Sequence, residues 1–134
     1  MNKKNPNGKT IQNWASLAEY DLVTAKAMLK SGRYVYVAFT CQQAIEKILK
    51  AVYVKRKNGT PPYTHNLTKL ADDIGVLSEL SDQHHKMLET LNLYYIQSRY
   101  AEHIERLASE LSKTSARLIL SETGKLYAWL KNLL

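Results

Sequence analysis

A chain of 134 residues, 45% hydrophobic and 23% charged, has room for one packed domain and lies outside the compositions of disordered and fibrous proteins. Its formal net charge of +7 favours polyanionic partners such as RNA, DNA or an acidic protein, although Lys3, Lys4 and Lys9 of a loose leader carry part of that excess. One cysteine, Cys41, excludes an internal disulfide and a thiolate zinc knuckle, and no apolar run is long enough for a signal segment or a bilayer span, so a reducing, cytoplasmic setting without membrane association is expected.

Residues 1–10, with Pro6 and Gly8, read as a flexible leader, and residues 11–134 as a single domain. Trp14, Ala18, Leu22, Ala25 and Leu29 recur at helical spacing, which predicts a helix from about Ile11 to Lys30, stopped at Ser31-Gly32. Tyr34, Val37, Ala38, Cys41, Ala44, Ile45, Ile48 and Val52 predict a second helix over roughly Arg33 to Lys57, with Asn58-Gly59 supplying a left-handed terminus. The prolines of "TPPYTHN" impose a turn, after which Thr64 or Asn66 caps a short third helix that Gly75 ends. Ser81 or Asp82 opens a fourth helix with Leu88, Leu91, Tyr95 and Ser98 on one face, and the pattern blurs beyond Tyr100. Ser112 caps the last helix, along which Ala116, Ile119, Leu120, Thr123, Tyr127, Leu130 and Leu134 recur, with Gly124 as a possible bend. The expected fold is all-α: an up-and-down bundle of four long helices plus one short helix.

With the helices placed, "CQQAIEKILKA" (41–51), "THNL" (64–67) and "YYIQSRY" (94–100) form one constellation, joined by "AEYDLVTAKAMLKSG" in the first helix. In this order and context they resemble the HEPN family of small helical-bundle domains. The resemblance implies a homodimer and a partnership with a minimal nucleotidyltransferase, often as a toxin-antitoxin pair. Ribonucleases of that family act without metal, using an Arg and a His separated by four to six residues. In "SRYAEH" only Tyr100, Ala101 and Glu102 separate Arg99 from His103, and the stretch is more similar to the branch reading "RYP", with Ala101 in place of the proline.

Two functional readings therefore stand side by side. In the first the protein is a nucleotide- or RNA-binding module in which Arg99, Tyr95 and Lys50 contact the ligand, Tyr100 packs beside them, and Glu46 with Lys50 shapes the same groove. In the second Arg99 neutralises a scissile phosphate and His103 moves protons. If the fourth helix runs on through His103, the two share a helical face with Tyr95 one turn earlier. The structural alternative is that Arg99 pairs with Asp21 or Glu46. Lys47 is expected to be solvated, the His65 ring to bond to backbone, and His84 and His85 to be surface residues, since adjacent helical positions diverge by about 100°. Lys55, Arg56 and Lys57 read as a dipole-complementing helix end. The tyrosines at helical spacing, including Tyr34, Tyr36, Tyr53 and Tyr94, read as half-buried packing residues. Cys41, on the apolar face, should be inert. No glycine-rich phosphate loop, metal-ligand spacing or cofactor motif is present, and no cofactor or metal is expected.

Overall fold

The computed structural model describes residues 7–97 and 99–134, Gln97 by its backbone alone. The described residues fold into six α-helices: α1 (Gly8–Lys30), α2 (Tyr34–Lys57), α3 (Leu67–Asp73), α4 (Asp82–Gln97), α5 (Ala101–Glu110) and α6 (Lys113–Lys131), with a 3-10 turn at Leu77–Glu79. The all-α expectation holds, and no strand occurs among the described residues. Helix α1 begins at Gly8, inside the stretch expected as leader, and residues 1–6 lie outside the described residues.

Helix α2 is the centre of the bundle, packing against α1, α6, α4, α3 and α5. Its closest partner is α1, and small side chains are buried on both helices, Ala15, Ala18 and Ala25 on α1 and Ala38, Cys41 and Ala44 on α2. Lys47 bridges the same pair of helices with Nζ 2.5 Å from Asp21 Oδ2, so it is an interhelical tie and not the solvated side chain expected. Larger apolar groups, among them Ile45, Ile48, Leu49, Leu70, Leu88, Leu91, Leu126 and Leu130, fill the space between α2 and the remaining helices.

The stops and starts follow local chemistry. Gly32 and Gly75 adopt φ of +78° and +75° at the ends of α1 and α3, where the next amide reaches back to Met28 O (2.8 Å) and Ala71 O (3.0 Å). This left-handed closure satisfies carbonyls that a helix leaves open, and it favours a residue without Cβ. Asn58 ends α2 in the same region at φ 54°. Asn66 Oδ1 caps α3 by accepting from the Lys69 amide, Ser81 Oγ accepts from the His84 amide, and Ser112 forms a reciprocal capping box with Ser115. In the last turn of α2, Arg56 donates to Ile74 O at 2.9 Å and approaches Glu79, while Lys55 reaches Leu134 O. These cations fasten the helix end to neighbouring elements.

The stretch after Tyr95 departs from expectation. Helix α4 stops at Gln97, and a separate ten-residue helix, α5, replaces the region where the pattern blurred. Tyr100 is extended (φ −121°, ψ 128°) and sits as the N-terminal residue before α5. The cause is a change of face. In one straight helix Leu107 would lie about 160° around the axis from Leu91, yet both are buried in the same core. A break near Arg99 restores Leu107 and Leu111 to the inside.

Two consequences are measurable. Helix α6 passes unbroken through Gly124, and a Cβ built there meets nothing within 4 Å; Gly124→Ala should therefore stabilise the fold by about 1 kcal/mol, read as a higher urea midpoint at unchanged slope. Burial pushes the Cys41 thiol up to about 12, the Thr123 hydroxyl offsetting only part of the rise. At pH 8 Cys41 should resist iodoacetamide in the native protein and react within minutes in denaturant, because the thiolate is the nucleophile.

Candidate functional site

Gln42, Glu46 and Lys50 occupy successive turns of α2 and are all buried, at 0%, 4% and 6% exposure. Three polar side chains in a core require partners, and they find them in one another and in the incoming loop. Glu46 Oε2 accepts from Lys50 Nζ at 3.0 Å, and Oε1 accepts from Gln42 Nε2 at 3.2 Å. The same Oε1 lies 2.9 Å from His65 Nδ1, and Gln42 Nε2 also donates to the His65 carbonyl at 3.1 Å. The His65 ring thus bonds to a carboxylate rather than to backbone; only its carbonyl makes the expected kind of contact. Lys50 Nζ stands 5.4 Å from the Trp14 ring centre, a cation over an aromatic face at the far side of the cluster.

Pro61 and Pro62 carry the chain away from α2, and it returns so that His65 lies against Tyr95 of α4. His65 stacks on Tyr95 with ring centres 4.7 Å apart and planes at 27°, and Tyr63 meets His65 edge-on at 5.6 Å. Phe39 lies near-parallel to Tyr95 at 6.2 Å. Asn92, one turn before Ile96 on α4, anchors the start of α3: its Oδ1 accepts from the Leu67 amide at 2.8 Å, and its Nδ2 donates to Thr68 and Asn66. Between these elements lies an open cleft of about 360 Å³, lined by Tyr63, His65, Asn66, Asn92, Tyr95 and Arg99 among others. At its rim the exposed Arg99 guanidinium lies over Tyr95, Cζ 5.8 Å from the ring centre, and forms no ion pair among the described residues.

The carboxylates offered to Arg99 by the structural alternative are both engaged elsewhere, Asp21 by Lys47 and Glu46 by Lys50 and His65. Tyr95 and Arg99 meet as the binding reading requires, whereas Lys50 and Glu46 lie behind the cleft wall and reach the cleft only through His65. Tyr100 is exposed and does not line the cleft; its ring meets that of His103 edge-on at 5.5 Å. Arg99 and His103 do not share a helical face, because Arg99 ends the turn after α4 and His103 belongs to α5. His103 Nδ1 is shielded from solvent and lacks a hydrogen-bond partner among the described residues. His84 and His85 stand apart at the surface, His85 pairing with Glu89 at 3.1 Å and His84 tilting against Trp129. Tyr63, His65, Asn66 and Asn92 were absent from the residues the sequence singled out as ligand contacts. The signal for His65 and Asn66 is "THNL", already part of the family resemblance, whereas Tyr63 and Asn92 lie outside the stretches that carry it.

Residues 11–133 match the HEPN domain. The chain belongs to the HEPN domain family. A HEPN bundle of this arrangement is similar to the crystal structure of TT1696 from Thermus thermophilus, with a TM-score of 0.79 over 92% of this chain and 98% of that one, at 23% identity. That likeness concerns the fold. No curated protein matches the chain.

Within this HEPN domain the buried cluster sets a stability test. Lys50→Met strands the Glu46 carboxylate in the core and should destabilise the protein by about 3 kcal/mol. Glu46→Gln/Lys50→Met removes both charges and should recover most of that loss in a denaturant titration; equal losses in the two variants would mean the ions do not compensate each other.

Proposed function

We propose that this HEPN-domain protein is a cytoplasmic binding module, acting as a homodimer beside a minimal nucleotidyltransferase in a toxin-antitoxin type system, and that it takes a nucleotide or RNA in the cleft between the "PPYTHN" loop and the end of α4. The observation that carries the reading is Arg99. An exposed guanidinium without an ion-pair partner among the described residues lies over an aromatic ring at the rim of a cleft walled by Tyr63, His65 and Tyr95. Guanidinium suits phosphate and an aromatic wall suits a base, and the cleft volume of about 360 Å³ falls within the range of small-ligand sites. The net charge of +7 adds a field that draws polyanions toward it.

The alternative, a metal-independent ribonuclease using Arg99 and His103, has less support because the α4–α5 break separates the two residues onto different elements. A single comparison decides between them. Wild type, Arg99→Ala and His103→Ala are incubated with cellular RNA in excess chelator, and nucleotide and RNA binding are followed by fluorescence anisotropy and melting temperature. The binding reading expects no cleavage by any of the three, with Arg99→Ala weakening binding about tenfold or more and His103→Ala leaving it nearly unchanged. Cleavage by wild type that both substitutions abolish would establish the nuclease, and indifference of the melting temperature to nucleotide and RNA alike would leave a scaffold.

A further inference from the structure

An ion pair buried in a core adds little net stability and can usually be replaced by apolar side chains without loss. The Glu46–Lys50 pair is set where it touches one group of the cleft wall, the imidazole of His65. Both Glu46 oxygens are surrounded by donors, Lys50 Nζ on one and Gln42 Nε2 on the other, so toward His65 the carboxylate acts as an acceptor. In a neutral imidazole the proton then sits on Nδ1 and the lone pair on Nε2. A half-turn of the ring would set Cδ2 in place of Nδ1 and so break the 2.9 Å contact to Glu46. Nε2 itself has no partner among the described residues. Much of the neighbouring wall is already committed, since Asn92 is used on both its oxygen and its nitrogen and Thr64 Oγ1 accepts from the Asn66 amide.

We infer that His65 Nε2 is the acceptor that selects the ligand of this cleft: a ribonucleotide that donates an N–H or O–H hydrogen bond to His65 while its phosphate meets Arg99, with Glu46 and Lys50 as positioning residues that set the tautomer. The donor is a base amino group or the ribose 2'-hydroxyl. This inference rests on the nucleotide reading above and adds which ligand groups are read and by what atom. An Nε2 lone pair accepts from a donor and is left unpaired by an otherwise identical ligand that lacks one.

Isothermal titration with three nucleotides tests it: adenosine monophosphate, the same nucleotide with hydrogen in place of the base amino group, and the same nucleotide without the 2'-hydroxyl. Wild type should bind the first about tenfold more tightly than one of the two truncated forms, and which one identifies the donor. His65→Phe, which keeps a stacking ring on Tyr95, should erase the difference. Glu46→Gln/Lys50→Met keeps the imidazole but releases its tautomer, and should narrow the difference without unfolding the protein. Arg99→Ala should weaken all three nucleotides alike. Equal binding of the three by wild type, with Arg99→Ala still weakening them, would overturn the role of His65 and leave the nucleotide reading standing; so would a difference that survives in His65→Phe. If His65→Phe loses cooperative melting, the Glu46→Gln/Lys50→Met variant decides, and an unchanged difference there overturns the inference. Failure of wild type to bind any of the three would remove the nucleotide reading and this inference together.

Discussion

The fold is organised around a carboxylate placed almost out of reach of solvent. Glu46 sits on the most enclosed helix of the bundle, and a charge there is tolerable only because Lys50, Gln42 and His65 all direct donors at it. Two of those partners come from the same helix one turn away on either side. The third comes from a loop nineteen residues on. That requirement dictates the course of the "TPPYTHN" segment: the chain leaves α2, turns through two prolines and returns so that His65 closes the cluster. A polar demand in the core thereby places a histidine on the surface of a cleft.

From His65 outward the contacts are aromatic. Imidazole stacks on Tyr95, Tyr95 faces the Arg99 guanidinium, and Tyr63 abuts His65 from the loop side. The series runs from a neutralised ion pair in the interior to a cation at the rim that has no ion-pair partner among the described residues. Such a gradient gives a ligand site two different faces, one that stacks and accepts hydrogen bonds and one that attracts an anion. The break between α4 and α5 maintains it. Had the helix continued, Arg99 and His103 would have been stacked along one face; instead Arg99 stays with Tyr95, and His103 packs with Tyr100.

Charge has a double role elsewhere in the molecule. Lys47 with Asp21 ties α1 to α2, and Lys55 and Arg56 fasten the end of α2 to the C-terminal residue and to the segment after α3. These cations are engaged within the fold. Arg99, by contrast, lies over Tyr95 at the rim of the cleft that also holds His65.

Helix identity and limits were legible in the residues themselves. Apolar spacing placed α1, α2, α4 and α6, and capping chemistry marked Gly32, Asn58, Asn66, Gly75 and Ser112, because these depend on local backbone sterics and on hydrogen bonds spanning a few residues. Arg99 and Tyr95 were also legible as neighbours, one turn apart. Four features were decided by the tertiary structure alone. The α4–α5 break arises because Leu91 and Leu107 must reach one core from faces that a straight helix would oppose. The burial of Lys50, and the pairing of Lys47 with Asp21, depend on which side of α2 each neighbouring helix covers. The place of His65 depends on Glu46, a residue distant in sequence whose need for a partner appears only once α2 is enclosed; spacing along a chain carries no record of what will surround a side chain after packing.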